Sequence, residues 1–471
     1  MFKIVVAILY MFVMLLIGWL QSRKVKTAKD YAVAGDGVPM WQNMRSMASA
    51  GIGAGATMGV ASMTWAFGIS GCVLAVGAIL GIIFSGIFFA SKIRKAGVTT
   101  IPELVELKLG KKVAKAMSAL TVFALFAALA GQIKSLGTIL MVFIPSLNIV
   151  SACLIMTGVM VVYAALGGMI GAVKTDTINI VIMILSVVVI LPNLILNSVG
   201  GFGGLVKSIA EIKPAALAPT TMGVLPMLST FLYIFATNMV NAEGFLKICS
   251  AKNEKEAKVA LIGSQVLLGA PYMANCVLIG LAGIVLLPNL AGRDAIIPSM
   301  LDTLTTPLIG AFALAALLAA VMGTAASLFI AIGVTFTNNI VRPLKPEFSD
   351  KAALATTRVS GIVFTALGLV FAIFGSDIIS IMQNISAPVT SAMFPIFIGM
   401  FYWKKLTPKA ALLTIIVAVA STCGWWIFGA VAQGASSGAF GVHHIIVGTV
   451  CATLTMLIAG LATYGKESAK A

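Results

Sequence analysis

The chain has little charge and little reactive chemistry. Only 10% of its 471 residues are Asp, Glu, Lys or Arg, only 15 are acidic, and there are two histidines. That poverty excludes a soluble globular protein, since 60% of the residues are apolar against roughly 45 to 50% in soluble domains. Six cysteines, Cys72, Cys153, Cys249, Cys276, Cys423 and Cys451, are scattered through apolar segments with no metal-ligand or redox spacing, and they read as small buried hydrophobes. No cluster of Asp, Glu, His or Cys stands at nucleophile or metal spacing within the apolar segments, so the chain does not read as an enzyme. His443 and His444, the whole histidine content, are expected at a solvated helix end. The net charge of +16 does not point to nucleic acid, because the basic residues lie between hydrophobic segments and form no patch.

What is present is a succession of apolar segments long enough to cross a bilayer. Thirteen are predicted, at roughly 2–20, 39–70, 71–91, 115–144, 148–170, 175–198, 226–248, 258–288, 306–340, 358–376, 378–403, 409–431 and 441–464. The first lacks a small-residue cleavage site and is read as a retained helix, with the mature chain beginning at Met1. With the N-terminus outside, the inner connections carry 25 Lys and Arg and the outer ones four, Lys3, Lys207, Lys213 and Arg293. The positive-inside rule then predicts N-out, C-in for an integral, multi-pass protein of a bacterial-type inner membrane.

Two segments are interrupted. Pro39 to Ser70 would measure ~48 Å as one helix against a ~30 Å hydrocarbon core, and Gly51, Gly53, Gly55 and Gly59 punctuate it. Five spans later, Thr237, Asn238, Asn241, Glu243 and Gly244 interrupt Leu225 to Ile248. Lipid offers unwound backbone no partner, so such breaks are expected only where the freed groups line a cavity or bind a ligand. Close helix packing through small residues is the alternative reading of the glycines. Five is odd, so units beginning at the second and seventh spans have opposite orientation, the inverted-repeat plan of secondary transporters.

Several stretches resemble the solute:sodium symporter family. They are Tyr31-Ala-Val-Ala-Gly35 through Pro39 and Trp41 into Ile52-Gly-Ala-Gly55; Thr100-Ile-Pro-Glu103; Gly167-Gly168 through Ala172-Val173 to Thr175-Asp176; Ser250-Ala-Lys252 with Lys255-Glu-Ala257; Phe336-Thr337 with Ile340 and Arg342-Pro343; and Ile381-Met-Gln383 leading to Tyr402-Trp-Lys-Lys405. The resemblance runs from about Tyr31 to Pro408. It implies an all-α polytopic membrane protein with a five-plus-five inverted-repeat, LeuT-like core whose second and seventh spans are discontinuous. The expected organisation is a peripheral first helix and basic loop over 1–30, the first repeat over 31–200, the second over 201–405, and two peripheral helices with a short tail over 406–471.

Carried over by position, the resemblance implies a sodium site. Its ligands would be the carbonyls of Ser49 and Ile52 on the broken second span and Ala320 on the ninth, with side-chain oxygens expected at the positions of Gly323 and Thr324. Gly323 has no hydroxyl, a departure that weakens or reshapes the site; coupling to protons, or no coupling, is the alternative. For Thr324 the rival role is a hydroxyl bonded back to the carbonyl four residues earlier. Asp176 matches an acid near the family's sodium sites, or simply caps the sixth span. Ser327 matches a hydroxyl used for a second sodium, although its neighbour Ala326 lacks one.

The positions at which sugar-carrying members grip their substrate fall near Gly51, Ala56, Ala75 and Leu268, so the polar grip on a polyol is missing and a small or apolar organic acid or amino-acid-like solute is expected. Asn241 and Gln383 sit where the family contacts substrate. Lys134, inside the fourth span, is expected to hold a substrate carboxylate or to snorkel to the surface. Arg45 and Glu243, near the inner ends of the broken spans, are expected to pair as a gate. The implied function is sodium-coupled import of a small organic solute by alternating access, with solute, sodium ion and lipid bilayer as partners and no nucleic acid. A membrane-embedded solute sensor is the alternative from another class.

Overall fold

The computed structural model describes residues 39–51, 53–98, 100–344, 349–435 and 437–468 and scattered positions between 4 and 20, the side chains of 49–51, 166–180, 350 and 465–468 excepted. Every regular element among them is a helix, the only open structure that satisfies its backbone groups internally inside lipid. Ten helical runs are long and apolar enough to cross a membrane. The difference from thirteen has three sources. The expected first span lies largely outside the described residues. The second and third join into one run, Gly55–Phe88, interrupted only by the tight 3₁₀ turn Gly68–Cys72. The fifth appears as the shorter apolar stretch Ile149–Ala165.

The elements used below are α1 (Met40–Gly51), α2 (Val60–Phe67), α3 (Val73–Phe88), α4 (Lys111–Phe143), α5 (Ile149–Met183), α6 (Val224–Met239), α7 (Ala242–Ser250), α8 (Ala270–Leu286), α9 (Pro307–Phe336), α10 (Asp350–Phe374), α11 (Ile378–Tyr402), α12 (Pro408–Gln433) and α13 (His444–Ser468). Several begin on caps visible in the sequence. The Thr306 side chain accepts the Ile309 N–H ahead of Pro307, Thr407 accepts from Ala410 ahead of Pro408, and Asp377 accepts from Ser380. Asp176 does not start a helix: the helical backbone of α5 runs through the boundary expected at 170–175.

α9 is the central rod. In its most apolar stretch 72% of residues are buried, against 28% for α12 at the periphery. It packs on α4, α5 and α10, while α3 lies on α6 and α8 on α2. The α3–α6 approach is so close that a Cβ on Gly81 would fall 2.4 Å from the Phe235 carbonyl oxygen. α13 packs on α11 and α12. There the expectation for the histidines changes: His444 is buried, donates from Nδ1 to the Ser437 carbonyl at 2.6 Å and stacks on Trp426. The chain between α12 and α13 folds back over the helix start and removes it from solvent.

Basic residues sort to the two ends. Lys213 donates to the Ala66 carbonyl and Arg293 lies over the Phe67 ring, both at the end of α2. At the opposite end Lys92 sits over Tyr402, Lys108 reaches the Met400 carbonyl and Lys247 the Ser46 carbonyl.

Candidate functional site

The two breaks face one cavity. In the first, α1 ends at Gly51, Gly53 forms a bend, and the helix resumes through Ala54 and a π-helical turn, Gly55–Gly59, into α2. In the second, α6 ends at Met239 and Asn241 adopts an extended conformation (φ −65°, ψ 122°) before α7. The cavity between them is walled by Gly53, Gly55 and Ala56, by Asn238, Val240, Asn241 and Glu243, by Gln132 of α4, Thr324 of α9, Gln265, and Met382 and Thr390 of α11.

Different groups hold each break open. At the first, the Ala54 N–H donates to Gln132 Oε1 at 3.1 Å, 78 residues away. A Cβ on Gly53 would stand 2.9 Å from Gln132 Nε2 and 3.3 Å from Thr324 Cγ2, so α4, α9 and the bend converge on one residue that has no side chain. One turn on, the Thr57 and Tyr272 hydroxyls meet at 3.0 Å, both buried, and link the π turn to α8. At the second break, the Asn241 side chain accepts the Glu243 N–H at 2.9 Å, capping α7, and Glu243 pairs with Lys247 at 3.1 Å.

The residues expected around sodium are partly brought together. Thr324 packs against the bend, its methyl and hydroxyl 3.3 and 3.7 Å from where a Cβ on Gly53 would stand, and the hydroxyl donates back to the Ala320 carbonyl at 3.2 Å. Gly323 and Ser327 are buried on the same helix. Ser49 lies in the last turn of α1 and Gly51 ends it, while Ile52 falls outside the described residues, as do the side chains of Ser49 and Asp176.

Of the expected substrate residues, Ala56 and Asn241 line the cavity. Gln383 is buried nearby, with no partner for Nε2 among the described residues and no share in the cavity wall. Lys134 is elsewhere: its ammonium donates to the carbonyl of Gly375, the residue that ends α10, at 3.0 Å, a cation on a helix C-terminus. The expected Arg45–Glu243 gate is not formed. Arg45 is exposed, and Lys247 takes its place, pairing with Glu243 and donating to the Ser46 carbonyl at 2.6 Å, while Asn43 donates to the Lys247 carbonyl at 3.0 Å. Lys247 sits one turn from Glu243 with an ammonium that can serve both it and the Ser46 carbonyl, whereas Arg45 is exposed.

A second fastening lies at the opposite end. Arg293 and Asp377 form an ion pair at 2.6 Å, and buried Asp294 accepts from the Ser62 hydroxyl at 3.0 Å and the Ile378 N–H at 2.9 Å. Burial raises the Asp294 carboxyl above its ordinary range. Asp377 is half-buried, which alone would raise it, yet Arg293 and the hydrogen bonds from Ser380 bring it below that range. Sequence reasoning missed Gln132, Tyr272, Lys247 and this pair of acids. The one available signal was a polar residue inside an apolar span, which flagged Lys134 and passed over its neighbour Gln132.

Comparison with known proteins matches residues 31–418 to the model of the sodium:solute symporter family. The high-affinity proline transporter PutP of Bacillus subtilis is 24% identical over 429 residues, 88% of this chain and 89% of that one. The osmoregulated proline transporter OpuE of the same organism is 24% identical, over 98% and 95% of the two chains. Among solved structures, a Na⁺-coupled sialic acid symporter in a substrate-bound, outward-open state aligns with TM-score 0.78 at 19% identity, covering 98% of both chains, and therefore shares the fold.

Proposed function

Because the chain belongs to the sodium:solute symporter family, we propose that it couples entry of Na⁺ to uptake of a small organic solute by alternating access. The observation that carries this reading is the meeting of the Gly53 bend and the Thr324 side chain in one wall of the cavity. A hard cation needs several oxygens in place of its hydration shell, and an unwound turn supplies carbonyls without burying a full countercharge. Sodium seated between bend and α9 would draw the two together and complete the solute cavity. One Na⁺ moving down a tenfold gradient and 100 mV supplies about 1.4 and about 2.3 kcal/mol, enough for ~500-fold accumulation.

The cavity wall supports a small amino-acid-like solute or organic acid over a sugar. It is largely apolar, and Ala56 stands in it where a sugar carrier would place a polar side chain. Proline, which the two Bacillus relatives carry by name, is the first candidate. In this reading the Lys247 end faces the cytoplasm of a bacterial-type cell, the Arg293–Asp377 end faces outward, and the two fastenings open in alternation. Uptake of labelled proline and other small amino and organic acids into proteoliposomes, with sodium or potassium outside, tests it: saturable uptake that needs sodium is the expected result.

A second reading, proton coupling or none, draws on one observation. Gly323 supplies no side-chain oxygen, and the Thr324 hydroxyl and Ala320 carbonyl, both expected ligands, are hydrogen-bonded to each other at 3.2 Å. Uptake driven equally by a proton gradient with sodium absent would favour it.

A further inference from the structure

In an unbroken helix the Ala54 N–H would bond to the carbonyl four residues earlier; at the bend, among the described residues, its partner is a side chain. The acceptor is Gln132 Oε1, from an amide only 3% exposed. Only the oxygen of an amide can accept, so this bond also fixes which end of the side chain points at Gly53: it is Nε2, 2.9 Å from the place of the missing Cβ, beside the Thr324 methyl. The amide is wedged between the two walls of the ion site described above. A site that has lost the hydroxyl at Gly323 has fewer side-chain ligands and relies more on carbonyl oxygens, whose directions follow the path of the backbone. Holding that path beforehand removes ordering cost from binding.

We propose that Gln132 is a positioning residue for sodium, an amide clamp from α4 that sets the unwound turn of the second span so that its carbonyls converge on α9. It touches backbone, not ion. The inference rests on the sodium reading.

The test is thermal unfolding of the full-length protein against sodium alone, replaced by potassium at constant ionic strength, together with hydrogen exchange over residues 53–57. Gln132→Leu is expected to raise the sodium concentration for half-maximal stabilisation about tenfold, the loss of one buried hydrogen bond, and to speed exchange at Ala54 before any sodium is added. Gln132→Glu, which keeps an oxygen at the same reach in either protonation state, is expected to leave the midpoint no higher than that of the wild type. Should Gln132→Leu fail to fold, Gln132→Asn, one methylene short of Ala54, is expected to shift the midpoint in the same direction. An unchanged midpoint in the Leu or Asn variant overturns the clamp, and so do equal shifts for Leu and Glu, which would mark a packing effect. Absence of any sodium-specific stabilisation in the wild type overturns the sodium reading itself, and the positioning role with it.

Discussion

The two broken spans reach the same cavity by opposite means. The second break, at Asn241, is built from its own neighbourhood: the residue that interrupts the helix also caps the next one, and Glu243 and Lys247 pair one turn apart on it. The first, at Gly53, has no local support of that kind. Its freed N–H is met from α4, and its space is shared by Gln132 and Thr324, 79 and 271 residues further along. A break capped by its own residues depends less on the rest of the bundle. One held by other helices changes shape when they move, which suits the half of the site proposed to hold the ion.

Substitutions can break this contrast. Gly53→Val is expected to have the largest effect: the added atoms displace the Gln132 amide and crowd Thr324, at a cost of about 1 to 3 kcal/mol, and sodium-dependent uptake falls at least about tenfold while the protein still reaches the membrane. Asn241→Leu removes a cap worth about 1 kcal/mol. It should lower the melting temperature with the sodium midpoint unchanged, and Asn241→Asp should restore it, because a carboxylate caps as well.

Lys247→Met sharpens the comparison, since Lys247 is the link between the two breaks through Ser46 and Glu243. The side chains are partly exposed, so the ion pair is worth under about 1 kcal/mol; the expected outcome is faster alkylation of Cys249, buried two residues further along α7, with little change in melting temperature.

The smallest effect belongs to the opposite end. Asp294 has a raised pKa, so the native state holds its proton more firmly than the unfolded chain, and its contribution to stability declines as pH rises through the window just above the ordinary carboxylate value. Asp377 is lowered, and its contribution is present above that value and lost as pH falls below it. Asp294→Asn should flatten the first part of the stability-pH curve and leave the second.

Much of this was legible before any coordinates. Glycines in a segment too long for one span, and Asn241 with Glu243 in a segment otherwise apolar, located both breaks, because Gly and Asn carry their backbone preferences wherever they stand. Thr324 was placed opposite the first break by resemblance. The reading failed where a side chain chooses among distant partners. Lys134 was offered a substrate and found the Gly375 carbonyl; Glu243 was offered Arg45 and took Lys247; His444 was left to solvent and is covered by the chain around Ser437.

The division has a physical cause. Lipid requires each backbone group to find its partner within its own helix, so hydropathy, basic loops and helix-breaking residues determined the number of crossings to within a few, their order and the points of interruption. No such local obligation governs an amide or an ammonium in a polar cavity. Which one reaches the open turn at Ala54 depends on how α4 and α9 lie against the second span, and tertiary packing alone decided that.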